Sequence, residues 1–198
     1  MAVLVDYGAD HDITGFAIVY NSELFADYEV FKSLYATMMQ TGCEAAVSYA
    51  GKDNLNFAVK EIVIAYYLTH QYFDEATVAG WDTYLTQIQP TTAFYTHADD
   101  ASNRNAYLMG GEQLRACLGL GDQAAVTDLI DASLALQMSH FDHNGMYRDN
   151  YGKADEHDPI LYDLTTRVQL QLVLGFGYTG EYADELDAVL TDGGMMTL

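Results

Sequence analysis

The spacing of apolar residues is the feature of this chain that most restricts its fold. Between successive turn signals these residues recur three or four positions apart, and they do not alternate as they do in a half-buried strand. Pro90 and Pro159 are the only two prolines in 198 residues, so few positions interrupt helical hydrogen bonding. The pattern predicts an all-α protein with little room for strands.

Glycine, proline and helix-capping residues divide this pattern into consecutive helical hairpins. We predict helices over residues 22–40, 54–72, 74–88, 103–118, 122–141, 158–174 and 181–190. Residues 1–21 are predicted to be irregular, residues 22–190 to form the hairpins, and residues 191–198 to be a frayed tail. A single domain over 1–198 is expected, because a chain of this length buries roughly 70% of the surface that it exposes when unfolded.

A faint internal repeat accompanies the hairpins. Asn54-Leu55-Asn56 and Asn103-Arg104-Asn105 stand 49 residues apart (103 − 54), and each opens a predicted helical hairpin. Repeats of this length stack on their neighbours, because one hairpin alone leaves an apolar face uncovered. We therefore expect the polar starts of the helices to gather at one end of the array.

The charge balance excludes two classes of partner. The chain has 29 acidic and 8 basic residues, which gives a formal net charge of −21. This charge argues against nucleic acid and against anionic membrane surfaces as partners. No apolar run reaches the roughly 20 residues of a membrane span, and no export signal opens the chain, so a soluble, cytoplasmic protein is expected. The acidity fits either a salty environment or selection for solubility.

Neither the cysteines nor the histidines predict a metal site. Cys43 and Cys117 lie far apart, and neither belongs to a Cys-x-x-Cys pair. His140, Asp142 and His143 lack the His-x-x-x-His spacing that places two imidazoles on one face of a helix. We predict no metal and no other cofactor.

Acidic, basic and aromatic side chains concentrate in two neighbouring stretches, residues 141–149 and 156–163. A loop held between rigid helices is a common place for catalytic residues. Several structural interpretations remain open: a solvated connector that turns at Asn144-Gly145, and Asp158 as a helix N-cap. Asp163 with Arg167 has the spacing of a surface ion pair worth about 0.3–0.5 kcal/mol.

Two further structural alternatives concern the upstream residues. Glu112 and Arg115 suit an ordinary i,i+3 ion pair on one helix. Asn54 and Asn103 suit helix starts whose side chains satisfy free backbone donors.

Residues 142–149, Tyr162-Asp163 and 105–112 with Leu114-Arg115 together resemble the toroidal (α/α)-barrel proteins of carbohydrate metabolism. The similarity is strongest to a poorly characterised branch related to glucuronidases and heparinase-type polysaccharide lyases, and it covers about residues 54–190. The resemblance implies a ring of helical hairpins. Six hairpins would need about 300 residues, whereas 198 supply about four, so an incomplete barrel is expected. A homo-oligomer or a missing barrel half would complete it.

The resemblance also implies a carbohydrate substrate and an activity: cleavage of glycosidic bonds in uronic-acid-containing oligo- or polysaccharides. The implied catalytic residues are Tyr147, Asp149, His157, Asp158, Tyr162 and Asp163, and the implied substrate-binding residues are Asn56, Asn105, Glu112, Arg148 and Arg167.

Two reactions suit these residues. Hydrolysis would pair Asp149 with Asp158 or Asp163 as acid and base, and it is favoured over elimination. Elimination would use Tyr147 or Tyr162 as the base, with His157 and Arg148 neutralising the sugar carboxylate.

The alternative function is a non-catalytic helical-repeat scaffold that binds a protein or glycan on its concave face. The two hypotheses differ in whether the residues of the 147–163 region meet in one pocket.

Overall fold

The structure is a computed structural model that describes residues 29–52, 54–149 and 159–196. Within these ranges it contains seven α-helices and no strand, which confirms the all-α prediction. The helices are α1 (Glu29–Ser48), α2 (Leu55–Thr69), α3 (Glu75–Leu85), α4 (Asn103–Cys117), α5 (Gln123–Gln137), α6 (Pro159–Gly175) and α7 (Ala183–Met196). Short 3-10 turns, His70–Tyr72 and Met138–His140, follow α2 and α5.

Two helices run further than the sequence predicts. Helix α1 continues through Gly42 to Ser48, because Cys43 and Ala46 beyond the glycine are fully buried in the core. Helix α7 continues to Met196, where we predicted a frayed tail. Gly42 was interpreted as a helix end and the glycine-rich tail as frayed, but packing decides where a helix stops more strongly than intrinsic propensity does.

Helices α2, α4 and α6 form a central row in which α4 packs between the other two. Near the start of α2 and α4, the rings of Phe57 and Tyr107 lie with their centroids 4.5 Å apart. Near the far ends of α2 and α6, Tyr67 and Phe176 lie 5.9 Å apart. The first contact joins the N-terminal parts of α2 and α4, and the second joins the C-terminal parts of α2 and α6. The three helices therefore run parallel.

The other helices cover this row. Helix α1 packs on α2 and α3, α5 packs on α4, and α7 packs on α6. The consecutive helices α4 with α5 and α6 with α7 therefore pack as pairs, and the arrangement of the helices as a toroid of hairpins stays a prediction. No helix in the described ranges has the length and apolar character needed to cross a membrane.

Aromatic residues fill the core beside α1, α2 and α3. Trp81 has no exposed surface, and its ring lies 5.0 Å from Phe73, 6.2 Å from Tyr66 and 6.4 Å from Tyr35. The Tyr35 hydroxyl donates to the Ala65 carbonyl at 3.0 Å, so the phenol is both buried and hydrogen-bonded. Edge-to-face rings of this kind add to the free energy gained by burial alone.

Gly111 permits the close approach of α4 to α2. A Cβ atom at this position would stand 2.9 Å from Cα of Lys60, a backbone atom that cannot move aside. We expect Gly111→Ala to lower the free energy of unfolding by about 1–3 kcal/mol, measured by urea denaturation. Gly194→Ala in α7 is the matched control, since its Cβ would meet nothing within 4 Å. The control should be neutral or stabilising by up to about 1 kcal/mol, and equal losses in both variants would contradict the packing argument.

Buried tyrosines make the fold sensitive to alkali. Burial raises the pKa of Tyr35, Tyr95 and Tyr147 above the usual range. Because the pKa in the unfolded chain is about 10, their contribution to stability is complete below pH 10 and is lost as pH rises above it. We expect urea midpoints to fall steeply above pH 10, with a shallower slope in Tyr147→Phe. If all 16 tyrosines titrate near pH 10 while the helical circular dichroism is unchanged, the prediction is wrong.

Candidate functional site

A cavity of about 370 Å³ opens at the N-terminal ends of α2, α4 and α6. The parallel arrangement of the row brings these ends together, as the 49-residue repeat predicts. Its lining residues come from the first two turns of the three helices or directly precede them: Asn54, Phe57, Asn103, Arg104, Tyr107, Leu161, Tyr162 and Thr165. The wall therefore combines a guanidinium, two amides, a hydroxyl and three aromatic rings, and none of these eight residues has a carboxylate.

The two asparagines do not cap their helices in the way that we predicted. Asn54 adopts a left-handed conformation with φ of 68°, and its side chain makes no capping hydrogen bond. At the start of α4, the backbone N–H of Asn103 donates to Oδ1 of Asp149 at 3.1 Å. The capping oxygen of α4 thus comes from a distant loop, and the amide groups of both asparagines line the cavity.

Arg104 is the cationic member of the wall, and a chain of hydrogen-bonding groups fixes its position. Its Nη1 lies 2.7 Å from Nε2 of His97, and Nδ1 of the same ring lies 3.3 Å from Oδ2 of Asp100. An arginine only donates, so His97 accepts at Nε2 and directs its Nδ1 proton toward Asp100. The guanidinium is consequently held at the cavity rather than left to sample many rotamers.

Contacts with neighbouring side chains hold two of the three aromatic rings in position. Phe57 meets Tyr107 edge-on, with an interplanar angle of 62°. The Lys60 ammonium lies 4.8 Å from the centroid of the Tyr107 ring and is itself bonded to Glu61 at 2.6 Å. These contacts fix the orientation of the Tyr107 ring, and Tyr162 contributes a ring from α6.

Asp163 and Arg167, both predicted as site residues, form a buried network with Tyr147. Arg167 Nε donates to both oxygens of Asp163 at 2.9 and 3.0 Å, and the Tyr147 backbone N–H donates to Oδ1 at 2.6 Å. The guanidinium also donates to the carbonyls of Gly145 and Leu190. The predicted ion pair is confirmed, but its surface location is wrong: the two residues are only 1% and 4% exposed. This side of α6 faces α7 and the 141–149 loop.

The Tyr147 phenol is enclosed as well. Its hydroxyl donates to Oε1 of Gln137 at 2.5 Å, and its ring lies 5.4 Å from that of Phe141. Burial raises the pKa of Tyr147 above its usual range, so the phenol stays protonated. With no exposed surface, this side chain serves packing and hydrogen bonding and does not reach the cavity.

Asp149 and Arg148 lie in the loop that follows α5. Asp149 is 2% exposed, and its carboxylate accepts the first backbone donor of α4, where the helix dipole favours a negative charge. Arg148 donates from Nε and Nη2 to Oδ2 of Asp142, both at 3.3 Å. Asp142 also accepts from the backbone N–H of Asn144, which makes the predicted turn, with Gly145 at φ of 74°.

Asn56 and Asn105 are fully buried behind the cavity wall. Asn56 Nδ2 donates to the Arg104 carbonyl at 3.3 Å and so links α2 to the backbone of α4 beside the cavity. Asn105 Nδ2 donates to the Ala98 carbonyl at 3.0 Å and to Ser133 Oγ at 3.2 Å. Both amides therefore hold neighbouring segments in place.

Glu112 lies far from the cavity. It stands nine residues after Asn103, roughly 13 Å along the axis of α4. Its carboxylate accepts from Arg115 Nε at 3.1 Å and from the Tyr95 hydroxyl at 2.5 Å. Arg115 donates further to the carbonyls of Leu85 and Leu120. The predicted i,i+3 pair is confirmed, and it is buried.

The structure thus brings one predicted catalytic residue, Tyr162, to the cavity. Tyr147, Asp149 and Asp163 lie inside the protein, and His157 and Asp158 fall outside the described residues. Across the described ranges, no group of three or more histidine, cysteine, aspartate or glutamate side chains is arranged to hold a metal ion.

Sequence reasoning did not single out Arg104, Tyr107 or Thr165 as site residues. A charged residue in the first turn of a helix usually lies in solvent, so the position of Arg104 in the sequence did not indicate a site residue. The usable signal was the repeat itself, in which Asn54 and Asn103 hold matching positions at the starts of neighbouring helices.

Comparisons of the chain with protein-family models, with curated proteins and with solved structures find no match.

We expect the Asp163 carboxylate to stabilise the folded protein. Asp163→Ala leaves the Arg167 charge buried without its carboxylate and should lower the free energy of unfolding by about 3–5 kcal/mol in urea denaturation. Asp128→Ala removes the same charge from an exposed position of α5 and should cost no more than about 0.5 kcal/mol. An Asp163→Ala protein as stable as the Asp128→Ala control would contradict the structural role.

Proposed function

We propose that this chain belongs with the toroidal (α/α) carbohydrate-active proteins, and that it binds a uronic-acid-containing oligo- or polysaccharide in the cavity and cleaves a glycosidic bond there. The observation that carries the proposal is the composition of the wall: its described lining residues supply the Arg104 guanidinium, two amides and three aromatic rings, and none of them is acidic. A volume of about 370 Å³ is in the range of small-molecule sites, which combine apolar rings with a few placed polar groups.

Local charge favours an acidic sugar. A carboxylate suits the planar fork of a guanidinium, with which it forms paired, charge-assisted hydrogen bonds. The N-terminal ends of α2 and α6 add partial positive charge at the same place, whereas the start of α4 already binds the Asp149 carboxylate. These contributions oppose the field of a chain with a net charge of −21, whereas a neutral sugar would make no use of the Arg104 charge.

Elimination is the reaction that the lining side chains favour. Tyr162, acting as its phenolate, would remove the proton from the ring carbon that bears the carboxylate, while Arg104 stabilises the charge that develops on that carboxylate. The bond between the neighbouring ring carbon and the leaving oxygen then breaks, a carbon–carbon double bond forms, and the Tyr162 phenol gives the abstracted proton to the leaving oxygen. Hydrolysis, which the sequence favoured, needs two carboxyl groups at the bond, and Asp149 and Asp163 are held inside the protein.

A non-catalytic scaffold is the second candidate, and one observation favours it. The carboxylates and the phenol that were predicted to be catalytic, Asp149, Asp163 and Tyr147, satisfy backbone and side-chain partners within the fold. Such a protein would bind a glycan in the same cavity and release it unchanged.

The Arg104→Ala variant tests whether activity depends on the cavity and not on another part of the surface. We expect it to lower kcat/KM on a uronic-acid glycan by about tenfold or more, because a hydrogen bond to a charged group contributes about 1.5–3 kcal/mol. Activity is followed as ultraviolet absorbance of the unsaturated uronate together with release of reducing ends, at low and high salt. Lys32→Ala is the matched control: it removes one positive charge from α1, where Lys32 lies over the Phe73 ring at the opposite end of α2.

The possible outcomes distinguish the candidates. Reducing ends with new absorbance support elimination, and reducing ends alone indicate hydrolysis. Calorimetric binding that depends on Arg104 but gives no product supports the scaffold. If neither acidic nor neutral glycans bind to correctly folded protein, the proposal is wrong.

A further inference from the structure

We propose that Asn54 and Asn103 bind the hydroxyl groups of the sugar ring and thereby determine which acidic ligands the cavity accepts. This role rests on the glycan-binding function proposed above, in which Arg104 binds the carboxylate. Both asparagines line the cavity: Asn54 directly precedes α2, and Asn103 is the first residue of α4. The two amides therefore belong to two of the three helix starts that enclose the site.

The chemistry of the wall assigns the hydroxyl groups to the amides. A bound hydroxyl group needs an acceptor for its proton, and the Arg104 guanidinium only donates. The Thr165 hydroxyl already donates to the Leu161 carbonyl at 2.9 Å. A primary amide has an oxygen that accepts and a nitrogen with two donors, so it can bind adjacent hydroxyl groups. Among the described lining residues, Asn54 and Asn103 are the two whose side chains accept and donate through separate atoms.

The backbone of Asn54 supports this role independently. Its φ of 68° lies in the left-handed region, where a side chain is disfavoured. At the other described positions with positive φ the residue is glycine: Gly51, Gly119, Gly145 and Gly177. The Asn54 side chain makes no capping hydrogen bond, so capping of α2 does not explain why this position has a side chain. A side chain retained on a strained backbone is typical of ligand sites, and Asn54 lies in the cavity wall.

The start of α4 does not use the Asn103 amide for capping. Oδ1 of Asp149 accepts from the Asn103 backbone N–H at 3.1 Å and so supplies the capping oxygen. The Asn56 amide donates to the Arg104 carbonyl at 3.3 Å and joins the starts of α2 and α4. Both cavity amides are thus attached to helix starts that are held together, and preorganised groups lose little conformational freedom when they bind a ligand.

Two small carboxylates distinguish hydroxyl binding from carboxylate binding. Methyl glucuronide has both a carboxylate and hydroxyl groups on its ring, whereas tetrahydropyran-2-carboxylate keeps the ring oxygen and the carboxylate but has no hydroxyl group. We expect the wild-type protein to bind methyl glucuronide more tightly in calorimetry, because the amides add hydrogen bonds to it. The Arg104→Ala variant should weaken the binding of both probes.

Asn54→Gly is the decisive variant, because glycine adopts a positive φ readily and lacks the amide. It should keep the urea midpoint of the wild type and weaken methyl glucuronide binding about three- to tenfold, the effect of one lost hydrogen bond. Binding of tetrahydropyran-2-carboxylate should not change. Asn103→Ala should behave in the same way, because it retains the backbone N–H that Asp149 binds. Asn144→Ala is the matched control: it removes an exposed amide from the 141–149 loop and should bind both probes as the wild type does.

The role is wrong if both asparagine variants bind methyl glucuronide as tightly as the wild type, and a loss confined to Arg104→Ala would then leave the proposed function standing. Equal weakening of both probes by the asparagine variants also overturns the role, because the loss would not involve hydroxyl groups. A wild-type protein that binds the two probes equally, or neither of them, overturns it as well. In that case polysaccharide binding that depends on Arg104 would still support the proposed function.

Discussion

Two buried arginines hold the central row to the rest of the molecule. Arg115 in α4 and Arg167 in α6 each bind a carboxylate three or four residues earlier in the same helix. Each also donates to carbonyl groups of neighbouring segments. A buried charge is tolerated only when its hydrogen bonds are satisfied, so these contacts restrict how the central helices meet the loops and helices around them. Arg115 thereby joins α4 to the end of α3, and Arg167 joins α6 to α7.

The cavity is a consequence of the parallel alignment of α2, α4 and α6 and of two long-range contacts. Asp149 supplies the capping oxygen of α4 from the loop between α5 and α6, so that the start of α4 and the loop are fixed together. Asn56 joins α2 to the backbone of Arg104 from the other side. The starts of α2 and α4 are thereby held at fixed positions, and the cavity lies between them and the start of α6.

The sequence was sufficient to predict the helices, but it predicted the site less completely. Apolar periodicity and the capping aspartates Asp74 and Asp122 locate helices within a few residues, because these signals are local. Spacing also identifies the pair Asp163–Arg167, but it does not distinguish a surface pair from a buried one. That difference depends on which segments cover α6, and those segments are distant in the chain. The prediction of a frayed tail over residues 191–198 failed for the same reason, since Gly193 packs against Gly145 and Arg167.

The residues that line the cavity differ from the buried ion pairs that stabilise the fold, and this affects which substitutions the protein can accept. Arg104, Tyr107, Tyr162 and Thr165 line the cavity, while the buried ion pairs that stabilise the row use other positions. Substitutions in the wall therefore alter what the cavity accepts at little cost to folding. Natural variation and laboratory selection can both explore new ligands at these positions, whereas the supporting residues permit few replacements.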